Sequence, residues 1–76
     1  MDFRVSKKSK VGKVAEAIRN EMEKNKEVKV NCIGKEAGWI ALKAIAIAGK
    51  GVFPEFVKKE VNGEGIVVLE MEVVEK

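Results

Sequence analysis

From Ala37 to Gly49 the chain carries one charge, Lys43, although charged residues make up 36% of its length. The apolar residues of this stretch, Gly38–Gly51 (GWIALKAIAIAGKG), do not lie in a single stripe. Ile40, Ala44, Ile47 and Ala48 mark one face of a helix, while Ala41, Leu42, Ile45 and Ala46 fill the rest. A helix that is apolar nearly all round has to be covered on more than one side. A chain of 76 residues can cover one side with its own sheet. The expected second cover is another copy of the chain, with Trp39, Ile40, Lys43, Ala44 and Ile47 at the interface.

Length points the same way. A single small domain of this size buries only about 60–65% of its unfolded surface, so its core is marginal without help. Cys32 is the only cysteine, so no internal disulfide forms, and without histidine a zinc site is not expected. Oligomerisation is the remaining source of stability. The lone cysteine fits a reducing, intracellular setting. Met1–Lys10 is too charged for a signal peptide, and no run approaches the ~18 apolar residues of a membrane span. The expectation is a cytoplasmic protein, with association to the nucleoid as one option, and with no membrane or small-molecule partner and no cofactor. Thr, Gln, His and Tyr are absent and Lys and Glu dominate, a bias that resembles hyperthermophile proteins.

Periodicity gives the order of elements. Asp2–Ser6 alternates as a strand, with Phe3 and Val5 on the core side. Lys7–Lys10 is a loop, and Ser9 is the expected N-cap of the next helix. That helix runs from Val11 to about Asn25, with Val11, Val14, Ala15, Ile18 and Met22 as its buried stripe. Glu27–Ile33 alternates again, and Gly34–Lys35–Glu36 turns into the central helix, which Gly49, Gly51 and Pro54 end. Phe56–Val61 reads as a short third strand, Asn62–Gly63–Glu64–Gly65 as a hairpin turn, and Ile66–Val74 as the fourth strand. The order β-α-β-α-β-β implies an α+β two-layer sandwich, two helices on one face of a mixed four-stranded sheet.

Charge is polarised along the chain. Residues 1–15 carry Arg4, Lys7, Lys8, Lys10 and Lys13 against Asp2, whereas residues 60–76 carry five glutamates against Lys76. In a β-α-β-α arrangement both helices begin at the carboxyl ends of their strands, along one sheet edge where ligands tend to bind. Lys7, Lys8, Lys10 and Lys13 fall at the first such turn and Lys35 at the second. Helix N-termini already carry partial positive charge, so lysines clustered there make sense when a polyanion supplies the countercharge. With no precise phosphate motif and no aromatic platform, the pattern points to backbone contact more than base reading. There is no GxxxxGK[ST] loop, and Gly12 and Gly34 are isolated, which argues against nucleotide enzymes. Stacking on bases would need aromatics, of which Trp39, Phe3, Phe53 and Phe56 are the candidates. Phe3 is in phase with the core, and Trp39 is open to core, dimer or stacking roles. Cys32 is in phase with Val28 and Val30 and reads as buried, and Glu70 and Glu72 read as a solvated strand face. Without acid–base groups an enzyme is not expected.

FRVSKKSKVGKVAEAI at Phe3–Ile18 and IGKEAGWIALKAIAIAGKG at Ile33–Gly51 resemble the stage V sporulation protein S family, which is similar in turn to the Alba nucleic-acid-binding proteins. The central ALKAIAIA is the most specific element, and the resemblance covers residues 3–54. It implies an Alba-like fold, a homodimer, a regulatory role, and binding to DNA or RNA with little sequence preference. It implies contacts from the loop after the first strand (Lys7, Lys8, Lys10) and from basic residues of the second helix (Lys35, Lys43). The family's third contact is a long basic hairpin arm. Here the arm reads as short, leaving Lys58 and Lys59 near its base. The competing reading is a protein-interaction adaptor that docks through the apolar helix or the acidic last strand.

Overall fold

The computed structural model describes residues 1–25 and 27–76. Its elements are β1 (Asp2–Val5), α1 (Val11–Asn25), β2 (Val28–Cys32), α2 (Lys35–Ile47), β3 (Gly51–Val61) and β4 (Glu64–Val74). They form the expected α+β sandwich on a mixed open sheet ordered β1-β2-β4-β3, and this architecture is consistent with the Alba-like superfamily. β1 and β2 run parallel, with Val5 level with Cys32, while β4 is antiparallel to both β2 and β3.

The core follows from strand parity. Phe3 and Val5 share a face with Val28, Val30 and Cys32, and across the register with Leu69, Met71 and Val73. Ala15, Ile18 and Met22 of α1 and Ala37, Ala41, Ala44 and Ile45 of α2 complete the buried cluster on that side. Burial pushes the Cys32 thiol up from its ordinary pKa, because an apolar surround disfavours the thiolate. It is a packing residue, as its phase predicts.

α2 ends in paired backbone bonds at its C-terminus. Gly49 N–H donates to Ala46 O at 3.0 Å and Lys50 N–H to Ile45 O at 3.1 Å. That pattern satisfies the last carbonyls and stops the helix. Gly51 and Pro54, expected to terminate it, lie inside β3 instead. β3 is an edge strand, where proline is tolerated. Val61↔Glu64 closes the two-residue turn, so alternate residues back to Gly51 bond to β4 and Pro54 faces away from the ladder. The missing N–H of Pro54 therefore removes no ladder bond.

The hairpin is consequently longer than its sequence pattern implies. The turn itself is only Asn62–Gly63, with φ of 51° and 80°, the left-handed pair that a type I′ turn requires. Both strands have 11 residues and pair throughout. Cys32, the last residue of β2, is level with Leu69, and Leu69 with Phe56. Val57–Val61 and Glu64–Val68 thus extend past the end of β2 as a two-stranded arm. At ~3.3 Å per residue the arm projects about 16 Å, in a molecule with extents of 37 × 22 × 16 Å. The arm is longer than the sequence pattern implies because Glu64 and Gly65, read as turn, pair with Val61 and Glu60; at its other end β3 starts at Gly51 because an edge strand accommodates Gly51 and Pro54.

Candidate nucleic-acid interface

The two turns beside which Lys7, Lys8, Lys10, Lys13 and Lys35 fall leave the sheet at the same edge, because β1 and β2 are parallel and in register. The first turn is held by its serines. Ser6 N–H donates to Ser9 Oγ at 3.0 Å, Ser9 N–H donates to Ser6 O at 3.0 Å, and Lys8 N–H donates to Ser6 Oγ at 3.2 Å. Ser9 therefore braces the turn and does not cap α1. The cap position belongs to Lys10, whose carbonyl accepts from Val14 N–H at 3.0 Å.

The second turn is two residues, Ile33 and Gly34. Gly34 sits at φ 91°, ψ 156°, and α2 starts directly after it without a side-chain cap. Its carbonyl accepts from Gly38 N–H at 3.1 Å. The amides of Lys35, Glu36 and Ala37 have no intrahelical acceptor in such a start. A Cβ on Gly34 would meet nothing within 4 Å, so the requirement for glycine is conformational. Gly34→Ala is expected to lower stability by about 1–3 kcal/mol, the strain of that backbone region. Urea unfolding of the variant measures it.

Between the two turns lies a cleft lined by Arg4, Ser6, Lys7, Gly34, Lys35 and Glu36, which continues past Lys7 and Lys35 to Trp39 and Ile40. Lys7 and Lys35, one from each turn, converge there. Lys8 and Lys10 occupy the exposed first turn, and Lys13 is exposed in the first turn of α1. Lys43 lies two turns along α2 from Lys35, roughly 12 Å up the axis at 1.5 Å per residue, and is not part of this rim. Lys58 and Lys59 are on the arm and, as strand neighbours, point to opposite faces. Lys59 Nζ is 3.2 Å from Glu70 Oε2, and Lys29 Nζ is 3.9 Å from Glu70 Oε1. Two residues not foreseen at the rim are Arg4 and Glu36. Arg4 was visible only as part of the N-terminal charge excess. Glu36 is the acid that a helix N-terminus favours.

The helix-free face of the sheet is acidic by comparison. Asp2, Glu55, Glu64, Glu70 and Glu72 share it with Arg4, Lys29 and Lys59. Positive charge is concentrated at the rim and negative charge on the sheet.

The exposed apolar surface also departs from expectation. Ala44, expected at a dimer interface, is 0% exposed within the single chain and belongs to the core. Positions 37, 41, 44, 45 and 48 turn toward the sheet, which leaves Trp39, Leu42 and Ile47 outward with Lys43, and Ile40 half-covered. Trp39 is 68% exposed, Leu42 40%, Phe56 74% and Val67 57%. These four line one groove between α2 and the arm, with Gly38 and Leu69 beside them. Val67 is in phase with Met71 and Val73, but it sits past the end of β2 and finds no cover.

None of the described helices is long and apolar enough to cross a membrane, and no cluster of metal-ligating side chains is present among the described residues. A family model matches residues 1–76, described as Stage V sporulation protein S (SpoVS). The match runs through the hairpin, beyond residue 54 where the motif resemblance ends. No curated protein matches the chain.

Proposed function

The chain belongs to the stage V sporulation protein S family, and from that membership and the geometry of the rim we propose a non-enzymatic, cytoplasmic protein that binds nucleic-acid phosphates as a homodimer. It is a sporulation-related protein by family. The observation that carries the binding is the convergence of Lys7 and Lys35 from two separate turns on one cleft, beside the uncapped start of α2. Lys8 and Lys10 extend the same edge, and Lys13 adds a further cation. Lysines opposing a helix dipole are destabilising by roughly 0.3–1 kcal/mol each unless an anion compensates them. The acidic outer face confines a polyanion to the rim.

Surface area supports the dimer. A compact monomer of this mass exposes about 4,600 Å², whereas this chain exposes 5449 Å². The difference is about the 800 Å² that each partner buries in a specific interface. The groove of Trp39, Leu42, Phe56 and Val67 is the surface that a second copy would cover. The arm carries Lys58 and Lys59 against Glu60 and Glu64, so it is neutral, with Val57, Val61, Ile66 and Val68 on its outer side. An apolar ribbon of two strands is marginal alone. The arm therefore serves assembly more than phosphate contact. The same feature favours a protein partner as the second reading.

A mobility-shift titration against salt tests the proposal. Four phosphate contacts, Lys7 and Lys35 from each copy, predict that log K falls against log salt with a slope of about −3. Absence of a shift at low salt, or a shift indifferent to salt, rejects nucleic-acid binding. A protein recovered from nuclease-treated extract in its place supports the adaptor.

A further inference from the structure

We infer, resting on the nucleic-acid reading above, that Trp39 is a stacking platform for an unpaired base, so that the rim takes single-stranded nucleic acid in preference to duplex. Trp39 and Lys35 both line two adjoining cavities. One adds Leu42, Phe56 and Val67. The other adds Lys7 and Ile40. Lys35 and Trp39 are four residues apart on α2 and therefore share a helix face. A nucleotide whose phosphate meets Lys35 and Lys7 has its base at the level of the indole.

Three features select an unpaired strand. Trp39 is 68% exposed, in a residue type that is highly buried on average. Base faces in a duplex are covered by their neighbours, whereas every unpaired base has a free π-face that an aromatic ring can meet. Glu36 lines the lysine side of the cleft and opposes a second row of phosphates, which a duplex brings and a single strand does not. Leu42, Phe56 and Val67 remain available to a second copy of the chain, so stacking takes Trp39 and assembly the rest of the groove.

The chain has one tryptophan and no tyrosine, so its intrinsic emission reports Trp39 alone. The probes are a short oligothymidylate, an abasic strand of equal length, and a duplex of equal length, each titrated at low salt. The oligothymidylate is expected to quench the emission and to bind about tenfold more tightly than the abasic strand. Trp39→Ala is expected to remove that tenfold advantage, and Trp39→Phe to restore most of it. Sedimentation of both variants shows whether assembly is intact. If Trp39→Ala fails to assemble, the wild-type quenching and the abasic comparison decide alone. Equal binding of abasic strand and oligothymidylate, or binding with unchanged emission, overturns the stacking role and leaves the phosphate rim standing. Failure of all three probes to bind overturns both readings.

Discussion

Reversal of charge at Lys7, Lys8, Lys10 and Lys35 together, each to Glu, is expected to weaken nucleic-acid binding by more than about a thousandfold at low salt. In a homodimer it replaces eight cations with eight anions along one edge, so every remaining phosphate approach is repulsive. The fold should survive. All four side chains are exposed. Lys35 lies in the first turn of α2, where a glutamate suits the helix dipole better than the lysine it replaces. Mobility shift gives the affinity, and circular dichroism with thermal unfolding gives the fold. A folded variant that still shifts nucleic acid would move the site elsewhere. Lys43→Glu alone, placed two turns along α2, should change affinity far less than Lys35→Glu, and equal losses would contradict the position assigned to the rim.

The second large effect separates core from interface on one helix. Ala44→Glu is expected to abolish folding. The site is 0% exposed, with no room for a larger side chain and no partner for a charge. Overpacking alone costs typically 1–3 kcal/mol, and a buried unpaired carboxylate adds several more, against a total stability of only about 5–15 kcal/mol. Leu42→Glu, two residues away, should leave the fold intact, because Leu42 is already 40% exposed. It places a carboxylate in the apolar groove, so the dimer should dissociate. Sedimentation at micromolar concentration reads both variants. A folded Ala44→Glu protein would contradict the core assignment. A dimeric Leu42→Glu protein would place the interface outside the groove. A wild-type chain that sediments as a monomer would remove the dimer altogether.

Much of the fold is legible from residue spacing. The stripe Ala15, Ile18, Met22 and the alternation Val28, Val30, Cys32 identify their elements because one face of each is buried and the other is wet. The errors cluster where a local signal has two structural meanings. Gly51 and Pro54 stop a helix, yet an edge strand accepts both, so β3 begins five residues earlier than its pattern implies. Ser9 looks like a helix cap, yet its hydroxyl is engaged with Ser6 N–H at 3.0 Å. Val67 has core phase, yet phase does not reveal that the arm has passed the end of β2. On the site, Lys7 and Lys35 follow from the parallel β-α-β order. Lys58 and Lys59 were grouped by adjacency in sequence, although adjacent strand residues face opposite ways.

What the sequence determined by itself was the order of elements, the lack of histidine or paired cysteine chemistry, and the gathering of cations near the first turn. These depend on period and composition, which are local properties of the chain. Only the tertiary structure decided which apolar residues of α2 are core and which stand open, how far the hairpin reaches, and that Trp39 stands beside Lys7 and Lys35. Those facts depend on register and on the angle at which α2 meets the sheet. Both are set by packing among residues distant in sequence, where an all-round apolar helix carries no mark of which side will be covered.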